Sequence, residues 1–226
     1  MSTDHPARSR IARPATPRPR PYERIKEAIL SGEFVAGQPL VEATLAEWCG
    51  VSRTPIRQAL TRLVEDGLAI RGERGLIVRE SSPAEILDIY ETRISLEVTA
   101  ARMAAERRTS HDLLVMRKMA EEMAALGPGD PALMTGANSR IHRAIWHASR
   151  NESLIDLLER LSLHLRRYPA DTLGYPGRWD TSNHEHDELI SAIEGRRVDE
   201  AGEIARKHFS AARDIRVKLW VSRGDY

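Results

Sequence analysis

Residues Val51 to Leu68, VSRTPIRQALTRLVEDGL, constrain the fold of this chain more than any other stretch. Ile56, Ala59, Leu60 and Leu63 recur at helical spacing and form one apolar stripe. Ser52 is a favourable N-cap, because its hydroxyl can accept a hydrogen bond from a free N–H of the first turn. Pro55 falls inside that turn, where a missing N–H costs nothing. Arg53, Thr54, Arg57, Gln58 and Thr61 take the opposite half, and no acidic residue lies between Val51 and Val64. A buried stripe behind a positive, hydrogen-bonding face is what a helix in a DNA major groove requires. Taken alone, the stretch also fits a surface helix with scattered arginines, so the flanking sequence has to decide.

Upstream, Tyr22 to Ser31 places Ile25, Ile29 and Leu30 on one face of a first helix that Gly32 ends. Phe34 to Pro39, with Gly37 and Pro39, reads as a connector. Leu40 to Trp48 supplies a second helix, and Cys49-Gly50-Val51 a tight turn, giving helix, helix, turn, helix. After Gly67, LAIRGERGLIVRE alternates apolar and polar residues around Gly72 and Gly75. Two short strands joined by the basic Arg71–Gly75 loop make a wing, whose Arg74 can reach a minor groove or a phosphate. A plain solvated hairpin fits the same residues.

Residues 22–80 resemble the winged helix-turn-helix of the GntR family of bacterial transcription regulators. The matching run is Y-x-x-I-K-x-A-I-L-x-G-x-F-x-x-G-x-x-L, then L-A-E-x-x-G-V-S-R-T-P-I-R-x-A-L-x-R-L-x-x-x-G-L, ending in R-G-L-I-V. The resemblance implies that Arg53, Thr54 and Arg57 contact DNA and that Gly75 marks the wing. Gln58, on the same exposed face, and Arg74, at the wing tip, complete the expected contact set.

A length of 226 residues suits two modest domains. The net charge is only +1, so DNA binding must come from local clustering of cations. Cys49 is the single cysteine. That excludes an intramolecular disulfide and fits a reducing cytoplasm; beside Trp48 it reads as a small core residue. No apolar run approaches the roughly 20 residues needed to span a membrane, and the N-terminus lacks the apolar core of a secretory signal. Residues 1–20 are rich in Pro and Arg, with Asp4 the only acid. Such a segment cannot bury a core and reads as a disordered arm, either tracking DNA through counterion release or idle.

From Ser82 onward the chain reads as all helix, making the whole mainly α. Ser82-Pro83-Ala84-Glu85 is a helix start with Ser as N-cap, Pro at the first position and Glu at the third. Helices are expected to about Arg107, from Ser110 to Leu126 and, after the GPGDP break, from Ala132 to Ser149. Asn151 can cap another to Tyr168. A loop over 169–178 follows. Ser182 with Glu185 reads as a second capping box opening a helix to Glu194, and the last runs from Val198 to Trp220. This gives an antiparallel bundle of about six helices over 83–226, with the boundary at Ser81–Ser82.

The chemistry of this bundle sits in its histidines. His142 shares a stripe with Ile141 and Ile145, His186 with Leu189, Ile190 and Ile193, and His208 with Ile204, Ala205, Ala212 and Ile215. Three imidazoles on three apolar faces would converge in one core and leave several nitrogens needing partners. A divalent metal satisfies them together; hydrogen-bonded core histidines are the alternative. Asn138, one turn before His142, faces the same way and could add an oxygen ligand. His111, His147, His164 and His184 read as structural or solvated. Trp146, Trp179 and Tyr175 are candidates for a pocket mouth, with core packing the simpler role for Trp146.

Residues 83–220 resemble the FCD effector-binding domain of FadR-type GntR regulators. The matching features are R-x-x-L-E at Arg93–Glu97, the I-H step at Asn138–His142, Asn151, Glu185-His186 followed by Leu189 and Ala192-Ile193, and His208-Phe209. The resemblance implies a divalent cation (zinc, nickel or manganese, all compatible with His and Asn ligands) held by Asn138, His142, His186 and His208 beside an effector carboxylate. Two departures matter. Ile141 stands where the family often has Phe, and Asn138 replaces an Asp, removing one negative charge and favouring an anionic ligand. Arg93 can pair with that ligand's carboxylate through its planar fork, or with Glu97 one turn on.

The expectation is therefore a homodimeric, ligand-responsive repressor on a palindromic DNA operator, with a small carboxylate as effector, in the cytoplasm and without a membrane partner. The alternatives are a metal-free FCD regulator binding a larger ligand such as an acyl-CoA, and a metal-dependent hydrolase. Against the hydrolase, no general base stands near the expected ligands, Glu185 being read as facing away from His186.

Overall fold

The computed structural model describes residues 20–80, 82–166 and 172–223. The basic arm, apart from Arg20, lies outside the described residues, as do Ser81 of the expected boundary and residues 169–171 of the expected loop.

The element order is α1 Pro21–Leu30, α2 Glu42–Cys49, α3 Arg53–Glu65, β1 Ala69–Gly72, β2 Gly75–Val78, α4 Pro83–Arg107, α5 Ser110–Leu126, α6 Pro131–Ala148, α7 Glu152–Arg166, α8 Arg178–Glu194 and α9 Val198–Arg223. The fold is thus three helices with a two-stranded wing, followed by six further helices among the described residues.

Helices α1 to α3 and the wing close around Ile25, Ile56, Leu63 and Leu68, each fully buried. The turn between α2 and α3 is tight because Gly50 takes the left-handed conformation, φ 69°, which costs a residue without Cβ nothing. Ser52 sits at the N-cap of α3, but its side chain makes no capping bond. It is exposed, so water can serve the first-turn N–H groups instead. The wing pairs Ala69 with Val78 and Gly72 with Gly75 in antiparallel register, with Glu73 and Arg74 in the turn. The connector before α2 does more than join helices. Pro39 bridges Ile77, the Gly37 N–H donates to Val78 O at 2.9 Å, and the Leu40 N–H donates to Leu76 O at 2.8 Å. It therefore braces the wing as a third edge, a position that tolerates proline.

The start of α4 is capped as expected, the Glu85 N–H donating to Ser82 Oγ at 3.1 Å. Asn151 Oδ1 likewise accepts from the Leu154 N–H at 3.2 Å. The expected capping box at Ser182 is not a cap. Helix α8 begins four residues earlier, at Arg178, after Gly177 at φ 75°. Burial of Arg178 and Trp179 secures that extra turn and leaves Ser182 inside the helix, fully buried.

The bundle core gathers Met116, Met123, Ile141, Leu189, Ile190 and Ile193. The long helices α4 and α9 run side by side. They are antiparallel: Arg93 stacks on Phe209 at 4.8 Å, and Tyr90, one turn earlier, shares a cluster with Ala212. At the junction with the first domain, Leu163 of α7 packs on that domain's core. Arg79 pairs with Glu85 at 2.9 Å and Arg166 with Glu27 at 3.5 Å. Among the described residues no helix is long and apolar enough to cross a membrane.

Candidate metal centre, cavity and DNA-facing surface

Each imidazole of the cluster is delivered by a different helix. His142 comes from α6, His186 from α8 and His208 from α9, and they are 2%, 1% and 3% exposed. Their ring centroids lie 4.8–5.1 Å apart. One ligand-capable nitrogen from each lies within 4.8 Å of the others.

Hydrogen bonding makes the cluster unusual. His142 Nε2, both nitrogens of His186 and Asn138 Oδ1 are buried without a partner. A neutral imidazole carries one donor and one acceptor, and leaving such groups unmet in a core costs about 1–3 kcal/mol each. A bundle would not gather four such atoms for packing alone. Burial, reinforced by the neighbouring imidazoles and by Arg93 and Arg178, holds His142 well below its usual pKa. Burial, His208 and Arg178 do the same for His186. At neutral pH both rings are uncharged, the form in which an imidazole lone pair can hold a cation. The donor set thus fits a divalent metal, and His142, His186 and His208 are a cluster able to hold one.

His208 is different, because a carboxylate orients it. Glu185 Oε2 lies 2.7 Å from His208 Nδ1, and Arg178 Nη1 donates to the same oxygen at 2.7 Å. Arg178 Nη2 also donates to His208 O at 3.2 Å. Burial alone would raise the Glu185 pKa, but the bonds from His208 and Arg178 outweigh it and hold the carboxyl below its usual range. Glu185 is read from the sequence as facing away from His186. It does lie off His186, but it reaches His208 instead. Spoken for by a histidine and a buried arginine, it is not free to act as a general base. It fills the role of the carboxylate that fixes a ligand histidine's tautomer.

Beside the imidazoles lies a cavity of about 770 Å³, within the range of small-molecule sites. Asn138, His142, His208 and Arg93 line it, as do Trp146 and Arg178. Of its two expected partners, Arg93 takes Glu97 in this structure. Its Nε donates to Glu97 Oε1 at 3.1 Å while the residue lines the cavity. Glu97 also accepts from Trp146 Nε1 at 2.7 Å. Its burial raises its pKa, against the pull of Arg93 and Trp146. Of the aromatic candidates, Trp146 lines the cavity, whereas Trp179 is buried in the bundle core. His111, His147 and His184 are exposed, His184 pairing with Glu188 at 3.2 Å.

In the first domain the structure places Arg53, Thr54, Arg57 and Gln58 on the exposed side of α3, with Arg74 and Gly75 exposed at the wing tip. Arg57 is not idle. It makes a bidentate pair with Glu42 of α2, Nε and Nη2 donating at 3.0 and 2.9 Å, while 70% of its side chain stays exposed. Glu42 thus ties the guanidinium to α2 while most of the side chain stays exposed. Arg178, Glu185 and Ser182 were not expected at the site. A helix drawn from Gly177 would have put Arg178, Ser182, Glu185 and His186 on one side, one turn or two apart.

Comparison with known proteins agrees with this architecture. The family model described as bacterial regulatory proteins, gntR family, matches residues 20–77, and the FCD domain model matches residues 88–211. The chain is 28% identical over 197 residues to the HTH-type transcriptional regulator YdhC of Bacillus subtilis, covering 84% of this chain and 86% of that protein. It is 29% identical to the Nta operon transcriptional regulator of Aminobacter aminovorans, covering 82% and 90%. Among solved structures, Escherichia coli McbR/YncC superposes with a TM-score of 0.71 at 22% identity, over 88% of this chain and 96% of that one, a likeness of fold.

Proposed function

Because this chain belongs to the gntR family of bacterial regulatory proteins and carries an FCD domain, we propose that it is a metal-centred, carboxylate-responsive repressor. The family is one of DNA-binding transcription regulators, not of enzymes. The finer reading rests on one observation: three buried, partnerless imidazole nitrogens of His142 and His186 cluster with a carboxylate-oriented His208, and Asn138, whose Oδ1 is also buried without a partner, lines the cavity beside them.

In this reading Asn138, His142, His186 and His208 hold a divalent cation, with zinc, nickel and manganese all compatible with the donors. When bound, the cation supplies a Lewis-acidic position for one carboxylate oxygen. Arg93, its Nε tied to Glu97, presents the rest of its guanidinium to the same carboxylate. Glu97 is the positioning residue, fixed from the other side by Trp146. The cavity lining offers guanidinium and imidazole groups and, among the described residues, no carboxylate, which favours an anion.

A homodimer in the cytoplasm would set two copies of α3 in successive major grooves of a palindromic operator. Arg53, Thr54, Arg57 and Gln58 would read or grip the groove, and Arg74 and Gly75 the backbone beside it. Ligand binding shifts the protein between arrangements that fit the operator and ones that do not, by the difference in ligand affinity between them.

The test begins with selecting operator fragments from genomic DNA on the full-length protein. Their affinity is then measured with and without zinc and a panel of di- and hydroxycarboxylates. We expect at least one metal-dependent carboxylate to weaken operator binding by about 5- to 150-fold. Operator binding indifferent to metal and to every carboxylate would remove the reading. A carboxylate that strengthens binding would reverse the direction of the response.

A further inference from the structure

The cavity beside the imidazoles is longer than one metal-bound carboxylate needs, and its cations are not all at the imidazole end. Five arginines line it, of which Arg93, Arg143, Arg166 and Arg178 each pair with a glutamate, and no aspartate or glutamate among the described residues is itself part of the lining. Along α9 the lining runs His208, Ala212 and Arg216. At this spacing Arg216 shares a face with His208 and lies about 12 Å farther along the axis. Ala212 between them leaves the space open.

The opposite walls agree with this axis. On antiparallel α4, Arg93 stands at the imidazole end against Phe209, and Tyr90 one turn on, clustered with Ala212 and Leu165. Helix α7 adds Ser162, whose hydroxyl is buried without a partner, and Arg166. Arg216 is itself only 8% exposed. Leu30 of α1 closes the wall near Arg166, which pairs with Glu27 one turn earlier on that helix. The far end of the cavity is therefore also where the two domains touch.

Resting on the carboxylate reading above, we propose that the cavity takes an extended dianion, with a second anion subsite at Arg216 and Ser162. One carboxylate occupies the imidazole end with Arg93. A few carbons away, a second acidic group meets the buried Arg216 guanidinium and satisfies the Ser162 hydroxyl. The methylenes between pass over Ala212, Tyr90 and Leu165. A carboxylate and a phosphate share this chemistry at the second position. The length of the ligand then decides whether its second group reaches the wall that α1 completes, which ties ligand recognition to the DNA-binding domain.

The test is calorimetric titration of the full chain, loaded with zinc, with α,ω-dicarboxylates from succinate to suberate and with monocarboxylates of matching chain length. An ω-phosphonocarboxylate replaces the best dicarboxylate in a parallel arm. The dicarboxylates should pass through an optimum length at which they bind at least about tenfold more tightly than the matched monocarboxylate. A further gain for the phosphonate assigns the subsite to phosphate. Arg216→Gln should erase the difference and Arg216→Lys keep part of it, both with monocarboxylate affinity near wild type. Equal affinity for mono- and dicarboxylates at every length in the wild-type chain would overturn the second subsite and leave the proposed function standing. Binding of neither class would overturn both.

Discussion

Replacing His186 with leucine should stabilise the metal-free protein while abolishing its cation binding. The side chain is 1% exposed, and both ring nitrogens are buried without a partner. Each unmet group costs about 1–3 kcal/mol, so the pair costs the fold at least about 2 kcal/mol. Leucine carries no polar atom, and the shape mismatch takes back up to about 1.5 kcal/mol. The net expectation is a small gain, roughly 0.5 kcal/mol at the low end of that range and more if the orphaned atoms are expensive. In excess cation the order reverses for a gain near that low end, because the wild type alone gains about 2.7 kcal/mol at a free metal concentration one hundred times its Kd. Urea denaturation of both proteins, in chelator and in excess zinc, reads the crossing directly. A leucine variant clearly less stable than wild type in chelator, or stabilised equally by zinc, would refute the reasoning.

Other consequences are equally checkable. Burial, then neighbouring imidazoles and arginines, hold His142 and His186 well below the usual histidine pKa. The unfolded chain takes up protons near pH 6.5 that the folded chain refuses, so their contribution is full above that pH and lost as pH falls through it. The two together should remove up to about 2.7 kcal/mol per pH unit below 6.5 from the metal-free protein, and a denaturation midpoint unchanged from pH 7.5 to 5.5 would contradict this. Glu185→Gln should weaken metal affinity about 10- to 100-fold, since the carboxylate orients His208, with far-UV circular dichroism unchanged; unaltered metal affinity would assign Glu185 to holding Arg178 alone. Arg57→Ala should cost about 1–3 kcal/mol of operator binding if the guanidinium reads a base, whereas an equal loss on unrelated DNA would assign it to phosphate.

The features written locally were legible in the sequence. Ile56, Ala59, Leu60 and Leu63 were readable as the inner stripe of α3 because helix periodicity alone sets which side is buried. The three histidines were readable for the same reason, each lying among apolar neighbours at helical spacing and each buried. What was not legible depends on contacts between distant residues. Arg178 lies next to a Tyr-Pro-Gly turn signal, and its partner His208 is 30 residues away on another helix; no period marks a buried arginine. The pattern Ser182-x-x-Glu185 looks the same whether it caps a helix or sits inside one. Only the burial of Arg178 and Trp179 moves the start of α8 back to Gly177. The bracing of the wing by Pro39 was hidden likewise, since a connector and an edge strand share the same Gly and Pro signals.

The most direct test of the central claim is elemental analysis of the purified full-length protein beside His142→Ala, prepared identically without added metal. One divalent cation per chain in the wild type, lost in the variant, is the expected result. No cation in either protein, or equal amounts in both, would contradict a metal centre built on Asn138, His142, His186 and His208.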